Sequence, residues 1–263
     1  MNLPKYLEFV GKLAARLSPT LLILFTLPSQ VLAQSLPMEI SIKFPKADNR
    51  GTPERTGAGG GRLINPAWPP PKATRGSSCF QLETGQLPLT ALMPTQDNLG
   101  QTISPTPTLY WYVPQTAAKS GGELVIMNDE GRITYKTRLK VADRSGIVQH
   151  TIPATAALEI GKSYQWYFTI ICDSEDSSKN VFVSGTIKRT TLGSLLDNYL
   201  QQATPLQQAE IYAKNQIWID TLNSVAKVYT QKPSEWEELL TSVGLSAIAK
   251  EPLLDCCIAE PLP

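Results

Sequence analysis

Leu158-Glu159-Ile160-Gly161-Lys162-Ser163-Tyr164-Gln165-Trp166-Tyr167-Phe168-Thr169-Ile170-Ile171-Cys172 is the stretch that decides the fold. Tyr164, Trp166, Phe168, Ile170 and Cys172 stand at every second position, so an extended chain carries all five on one face. The run is rich in aromatic and β-branched residues, and Gly161 supplies a turn just before it. The spacing predicts one long strand with a buried face and Trp166 in the core.

Period two extends in both directions from this strand. Upstream, Leu109, Trp111 and Val113 alternate with Tyr110 and Tyr112, and Leu124 and Ile126 follow Gly121-Gly122. After Asn128-Asp129-Glu130-Gly131, the residues Ile133, Tyr135, Leu139 and Val141 share a face. Asp143 to Gly146 reads as a turn and Ile147 to Ile152 as a strand, while Val181, Val183 and Ile187 close the series downstream. Six or seven short strands separated by turn signals predict an antiparallel β-sandwich over residues 79–191. Leu158, Gly161 and Tyr164, spaced three and three, resemble the tyrosine corner of fibronectin type III domains, where a Tyr hydroxyl bonds back to nearby backbone. The resemblance implies an immunoglobulin/fibronectin III-like sandwich. Tyr110, Tyr112 and Tyr167, on the opposite faces of their strands, are candidate contacts for a sugar or a peptide.

Past Thr191 the period lengthens to that of a helix. Leu192, Leu195, Leu196, Tyr199 and Leu200 make one stripe. Thr204-Pro205-Leu206-Gln207 reads as a capping box with Pro at the first helical position. Ile211, Tyr212 and Trp218 continue the pattern past Asn215-Gln216, and Leu222, Val225, Ala226 and Tyr229 precede Pro233. Ser234 with Glu237 reads as a second capping box ahead of Trp236, Leu239, Leu240 and Val243, and Gly244 as a stop. Residues 192–252 are therefore expected to form a helical module packed on the sandwich, with Leu195, Tyr212, Trp218, Leu222 and Leu240 buried. Tyr212, Trp218, Val225 and Pro233 resemble the key positions of a single tetratricopeptide unit, although Gln216 stands where Gly is usual and Thr221 where Ala is usual. An ordinary helical hairpin accounts for the same pattern.

The N-terminus reads differently. Lys5, Lys12 and Arg16 precede the apolar run Leu21 to Leu27, which Pro28-Ser29 break, and Val31-Leu32-Ala33 offers a cleavage site before Gln34. This is the pattern of a cleaved secretory signal over residues 1–33, and it implies an extracytoplasmic protein. The apolar run is shorter than the about 20 residues of a transmembrane helix, so no anchor is expected after cleavage. Residues 34–78 are rich in Pro and Gly, with Gly57-Ala58-Gly59-Gly60-Gly61 and Pro69-Pro70-Pro71, and are expected to be a disordered, flexible leader. The Gly run lacks the Lys-Ser/Thr ending of a phosphate-binding loop. The chain has 263 residues and a formal charge of +1, and loss of Lys5, Lys12 and Arg16 with Glu8 leaves −1. That balance argues against a nucleic-acid partner. A lone His150 excludes a His-based metal or catalytic cluster within one chain.

Several ordered motifs carry a wider resemblance: Trp68-Pro69-Pro70, Arg75 to Cys79, Pro107 to Pro114, Leu158 to Trp166, Ile170 to Cys172, Ala209 to Leu222, and Trp236 to Leu245. Over roughly residues 50–252 the chain resembles the largely cyanobacterial domain of unknown function 928 family (DUF928). The family has no established activity, so no catalytic, cofactor or metal residue is carried over. The resemblance implies an exported sandwich-plus-helix protein of an envelope or lumen, with residues 253–263 as a tail outside the shared pattern. In that compartment Cys79 and Cys172 are expected to pair, two separate buried thiols being the competing reading. Cys256 and Cys257 lie in the tail.

The functional expectation is a non-catalytic protein-interaction or scaffold protein, with a protein or peptide partner. A carbohydrate-binding protein for envelope polysaccharide is the alternative, and a carboxylate-based hydrolase ranks third. Asp220 is the best candidate for half of a carboxylate pair, with Glu235, Glu237, Glu238 and His150 as the other titratable candidates. Trp218 and Asp220 join the three tyrosines as a possible interaction surface.

Overall fold

The alternating run forms a nine-residue strand, Ser163–Ile171, with Tyr164, Trp166, Phe168 and Ile170 buried. The structure, a computed structural model, describes residues 41–45, 87–94, 98–115, 121–141, 144–173, 175–254 and 259–260. Its strands are β1 (Thr90–Ala91), β2 (Leu99–Thr102), β3 (Thr108–Val113), β4 (Gly121–Asn128), β5 (Ile133–Lys140), β6 (Gly146–Thr151), β7 (Ser163–Ile171), β8 (Val181–Arg189) and β9 (Ala259–Glu260). They make a small sheet in the order β1-β3-β6 and a large one in the order β2-β8-β7-β4-β5-β9, and neither closes into a barrel. All pairings are antiparallel except β2 with β8.

The two sheets pack face to face. Trp111 of β3 stacks on Phe168 of β7 with ring centroids 4.3 Å apart, and lies 6.2 Å from Trp166. Gly185 of β8 leaves room for this layer: a Cβ there would stand 2.7 Å from Trp166 Nε1. At the start of β7 the Tyr164 hydroxyl accepts the Glu159 N–H at 3.0 Å, Leu158 is buried, and Gly161 takes a left-handed φ of 79°. The hydroxyl-to-backbone bond expected of a tyrosine corner is thus present. Ile133, placed on the inner face with Tyr135, Leu139 and Val141, is 47% exposed instead, because the β4–β5 register shifts at Ile126/Met127.

Four helices follow: α1 (Ser194–Gln202), α2 (Pro205–Lys214), α3 (Trp218–Ala226) and α4 (Pro233–Ser242). The capping box at α2 forms: the Gln207 N–H donates to Thr204 Oγ1, and Gln207 Oε1 accepts the Thr204 N–H. The second box does not. α4 starts from Lys232 with no side-chain cap, and Pro233 fills its first turn. Gly244 ends α4 at φ 87°, with the Leu245 N–H returning to the Leu240 carbonyl.

Trp218 is the pin between helices and sheets. It is fully buried, its Nε1 donates to the Leu92 carbonyl at 2.9 Å, and α3 also packs on β2. Gly100 permits that approach, since a Cβ there would lie 2.8 Å from Ile219 Cγ1. Leu222 and Leu240 are buried as expected, and Tyr212 is half-buried. Leu195 is not: it is 85% exposed and Tyr199 56%, leaving Leu200 as the buried residue of α1.

The helical layer also overturns the expected exposure of two tyrosines. Tyr110 and Tyr112 are buried on the outer face of β3. The Tyr110 ring meets the edge of Trp236 at 6.0 Å, and the Tyr112 hydroxyl bonds Ser145 near Glu251. Tyr167, on the outer face of β7, remains half-buried beside Phe182.

Two segments read as loose ends belong to the fold. Ser41–Pro45, assigned to the flexible leader, packs on the helices, with Ile42 only 2% exposed and the Phe44 ring edge-on to Trp218 at 5.1 Å. In the tail, the Ile147 N–H donates to Pro252 O and the Leu254 N–H to Ile147 O, both at 2.7 Å, while β9 adds to the edge of β5. The expected signal peptide with its cleavage site at Ala33 and Gln34, the Gly and Pro runs, and Cys79, Cys256 and Cys257 lie outside the described residues. Cys172 is disulfide-bonded, and its partner also lies outside them.

Candidate functional site

Between one face of the small sheet and the helices lies a cleft of about 480 Å³. Thr108 and Tyr110 from β3 and Gln149 and Thr151 from β6 form its floor. These residues point away from the sandwich core, which explains their polarity: alternate positions of a strand face opposite layers. Gln208 and Tyr212 of α2 and Asp220, Asn223 and Ser224 of α3 form the wall, with Lys227 beyond them. Ser104 and Thr106 stand at one rim. Across the floor the Thr108 and Thr151 hydroxyls bond each other at 2.8 Å.

Asp220 occupies the first turn of α3, where the helix dipole favours an acid. Its Oδ2 accepts the Ile103 N–H at 3.0 Å, and the Thr102 hydroxyl also bonds the carboxylate. Burial pushes its carboxyl above the usual carboxylate range, while Thr102, Ile103, the helix N–H and Lys227 pull the other way. The Tyr212 phenol is pushed up to about 12, chiefly by burial and then by the Asp220 and Asp197 charges. Asp220 therefore fastens α3 to the end of β2 and lends the cleft a polarised edge.

The other acids do not converge on it. Glu235 is buried at the start of α4 and accepts the Ile42 N–H at 3.3 Å, and Glu238 accepts the Ser41 hydroxyl. Neither these acids nor Glu237 lines the cleft, whose charged lining is Asp220 and Lys227. His150 lies on the other side of β6, where Tyr135 from β5 stacks on it at 5.8 Å and its hydroxyl bonds Nε2 at 2.9 Å. Burial lowers the His150 pKa from its ordinary value. Asp220 is the one carboxylate that lines the cleft among the described residues. No three His, Cys, Asp or Glu side chains among them group so as to hold a metal ion.

Tyr110, Tyr212 and Asp220 thus meet at one cleft, while Trp218 lies beneath it as packing, Tyr112 is buried, and Tyr167 sits on the far sheet. The polar lining from Gln149, Thr151, Gln208 and Asn223 was not singled out from the sequence. The available signal was a run of neutral polar residues on strand and helix faces that also carry apolar neighbours.

A family model described as Domain of Unknown Function (DUF928) matches residues 71–253, which holds both sheets' main strands and all four helices. The chain belongs to the DUF928 family. In this DUF928 chain the matched span contains the cleft in full, and Ser41–Pro45 fall outside it. No curated protein and no solved structure matches the chain. No helix among the described residues is long and apolar enough to cross a membrane.

Proposed function

We propose that this DUF928 chain is an exported, non-catalytic interaction protein, a scaffold or adaptor of a cyanobacterial cell envelope. The observation that carries the reading is the seating of an extended segment, Ser41–Pro45, on the helical module, with backbone N–H groups taken by helix side chains. Holding an extended chain by its backbone N–H groups and its alternate apolar side chains follows the logic by which peptides are recognised. A disulfide at Cys172 supports an oxidising compartment, and we assign Cys79 as its partner. The small sheet β1-β3-β6 facing β8-β7-β4-β5, with the Tyr164 corner, supports an immunoglobulin or fibronectin III-like sandwich. The α2–α3 pair, with Tyr212, Trp218, Val225 and Pro233 at their spacing, supports a tetratricopeptide-like module.

The cleft favours a second reading. Its hydroxyl and amide lining, each group able to donate or accept, suits an uncharged polysaccharide. The mature protein, immobilised and exposed to envelope extract and to a polysaccharide panel, separates the two. A specific protein retained at stoichiometric amounts supports the interaction reading. Retention of glycan alone, abolished by Gln149→Ala or Tyr212→Ala, supports the second and overturns the first.

A further inference from the structure

We propose that the face of α4 beside the start of α3 is a docking groove for an extended partner segment of the pattern apolar–basic–aromatic, and that Ile42-Lys43-Phe44 fill it in cis as a stand-in. This rests on the interaction reading and names the partner class. Two kinds of contact define the groove. It reads alternate side chains: Ile42 is buried, Lys43 is exposed, and Phe44 lays its ring against Trp218. It also reads backbone: the Ile42 N–H goes to Glu235 Oε2 and the Phe44 N–H to Ser242 Oγ at 3.0 Å. The Ser242 hydroxyl donates to Leu239 O at 2.7 Å, so its lone pairs are turned outward for that N–H. Glu235, Glu238 and Ser242 are three and four residues apart and share one face of α4. Main-chain bonds with alternate apolar anchors are how extended peptides are held elsewhere, with a sheet edge as the usual host.

The occupant is separable from the groove. Among the described residues Ser41–Pro45 pair with no strand, and Pro45 offers no N–H beyond Phe44. The groove residues Trp218, Glu235, Glu238 and Ser242 lie inside the family match, and the segment lies outside it. About 40 residues of sequence separate the segment from Leu87. A segment of the same chain acts as a ligand held in cis, and a partner segment competes with it for the groove. Glu235 and Glu238, which bond Ile42 and Ser41, place two carboxylates next to the basic middle position.

The test uses the mature chain and a fluorescein-labelled peptide of residues 38–48, read by fluorescence anisotropy. The wild-type chain should bind weakly. Ile42→Asp/Phe44→Asp, which empties the groove, should bind about tenfold or more tightly, the gain expected when a cis competitor is removed. Glu235→Ala or Ser242→Ala in that background should reverse much of the gain. Phe44→Ala serves as the milder emptied variant if the double change unfolds the chain. An emptied chain with unchanged near-UV circular dichroism and no gain in peptide affinity overturns the proposal, reducing the contact to ordinary packing. A retained envelope protein alongside that result would leave the interaction reading standing, and peptide binding without a retained protein would fail only the reading.

Discussion

Gln216 adopts φ 60°, a left-handed conformation that a side chain disfavours and glycine does not, at the turn between α2 and α3. Gln216→Gly is expected to raise stability by about 0.5–1 kcal/mol, measured by chemical denaturation, because relief of the Cβ clash exceeds the added chain entropy. Trp218 is the opposite case. It fills the junction of sheet, helix and N-terminal segment, so Trp218→Ala should cost about 3–5 kcal/mol; an exposed, dispensable Trp218 would contradict the burial. His150 and Asp220 predict opposite pH effects. The folded state lowers the His150 pKa, so the unfolded chain binds its proton more readily and stability falls as pH drops below about 6.5. His150→Gln should flatten that fall. Asp220 has a raised pKa in the folded state, so its own contribution rises as pH falls from neutral through that value. Asp220→Asn should remove this rise while keeping an acceptor for the Ile103 N–H, and denaturation at pH 7 and pH 5 reads both.

Between elements, contact is governed by what each face meets. Gly100→Val would press a branched side chain into Ile219 and Met93, and is expected to cost about 1–3 kcal/mol by overpacking where α3 sits on β2. Leu195→Ser on the exposed side of α1 should change stability by less than about 0.5 kcal/mol. The contrast shows what periodicity carries. Strand β7, its corner, the α2 cap and the Gly244 stop were readable because each depends on neighbours in sequence. Periodicity assigns residues to faces but does not say which layer covers a face. Tyr110 and Tyr112 were therefore read as outward, although the unbroken run Leu109 to Val113 is the mark of a strand covered on both sides. Leu195 failed in the reverse sense: Leu200 of the same stripe is buried, while Leu195 meets no layer among the described residues. Ile40, Ile42 and Phe44 alternate within a Pro/Gly-rich leader, and that local pattern was the legible sign of Ser41–Pro45. The cleft was out of reach because its floor and wall come from elements about 100 residues apart that only the tertiary fold joins.

At the scale of the whole molecule, compartment and cross-linking are tested together. Intact mass of the protein from the envelope fraction should correspond to a start at Gln34; a full-length cytoplasmic product would remove the export proposal. Peptide mapping without reductant should join Cys172 to Cys79, and Cys172→Ala should then cost about 2–5 kcal/mol. A Cys172 peptide linked to Cys256 or Cys257 would instead pin the tail. Segments flanking the matched span are tied down on both sides without that bridge. Ser41 to Phe44 bond residues of α4, and Pro252 to Leu254 with Ala259–Glu260 border β6 and β5. The Ser41–Glu238 bond spans 197 positions, and the β5–β9 pairing joins Leu139 to Ala259. Such distant pairings make folding slow, since loop closure must precede the contacts that reward it. A chain emerging from the ribosome cannot form these pairings until both of their partners have been made. Under the export proposal that delay would be useful: the polypeptide would stay open long enough to be passed across a membrane, and would acquire its shape on the far side.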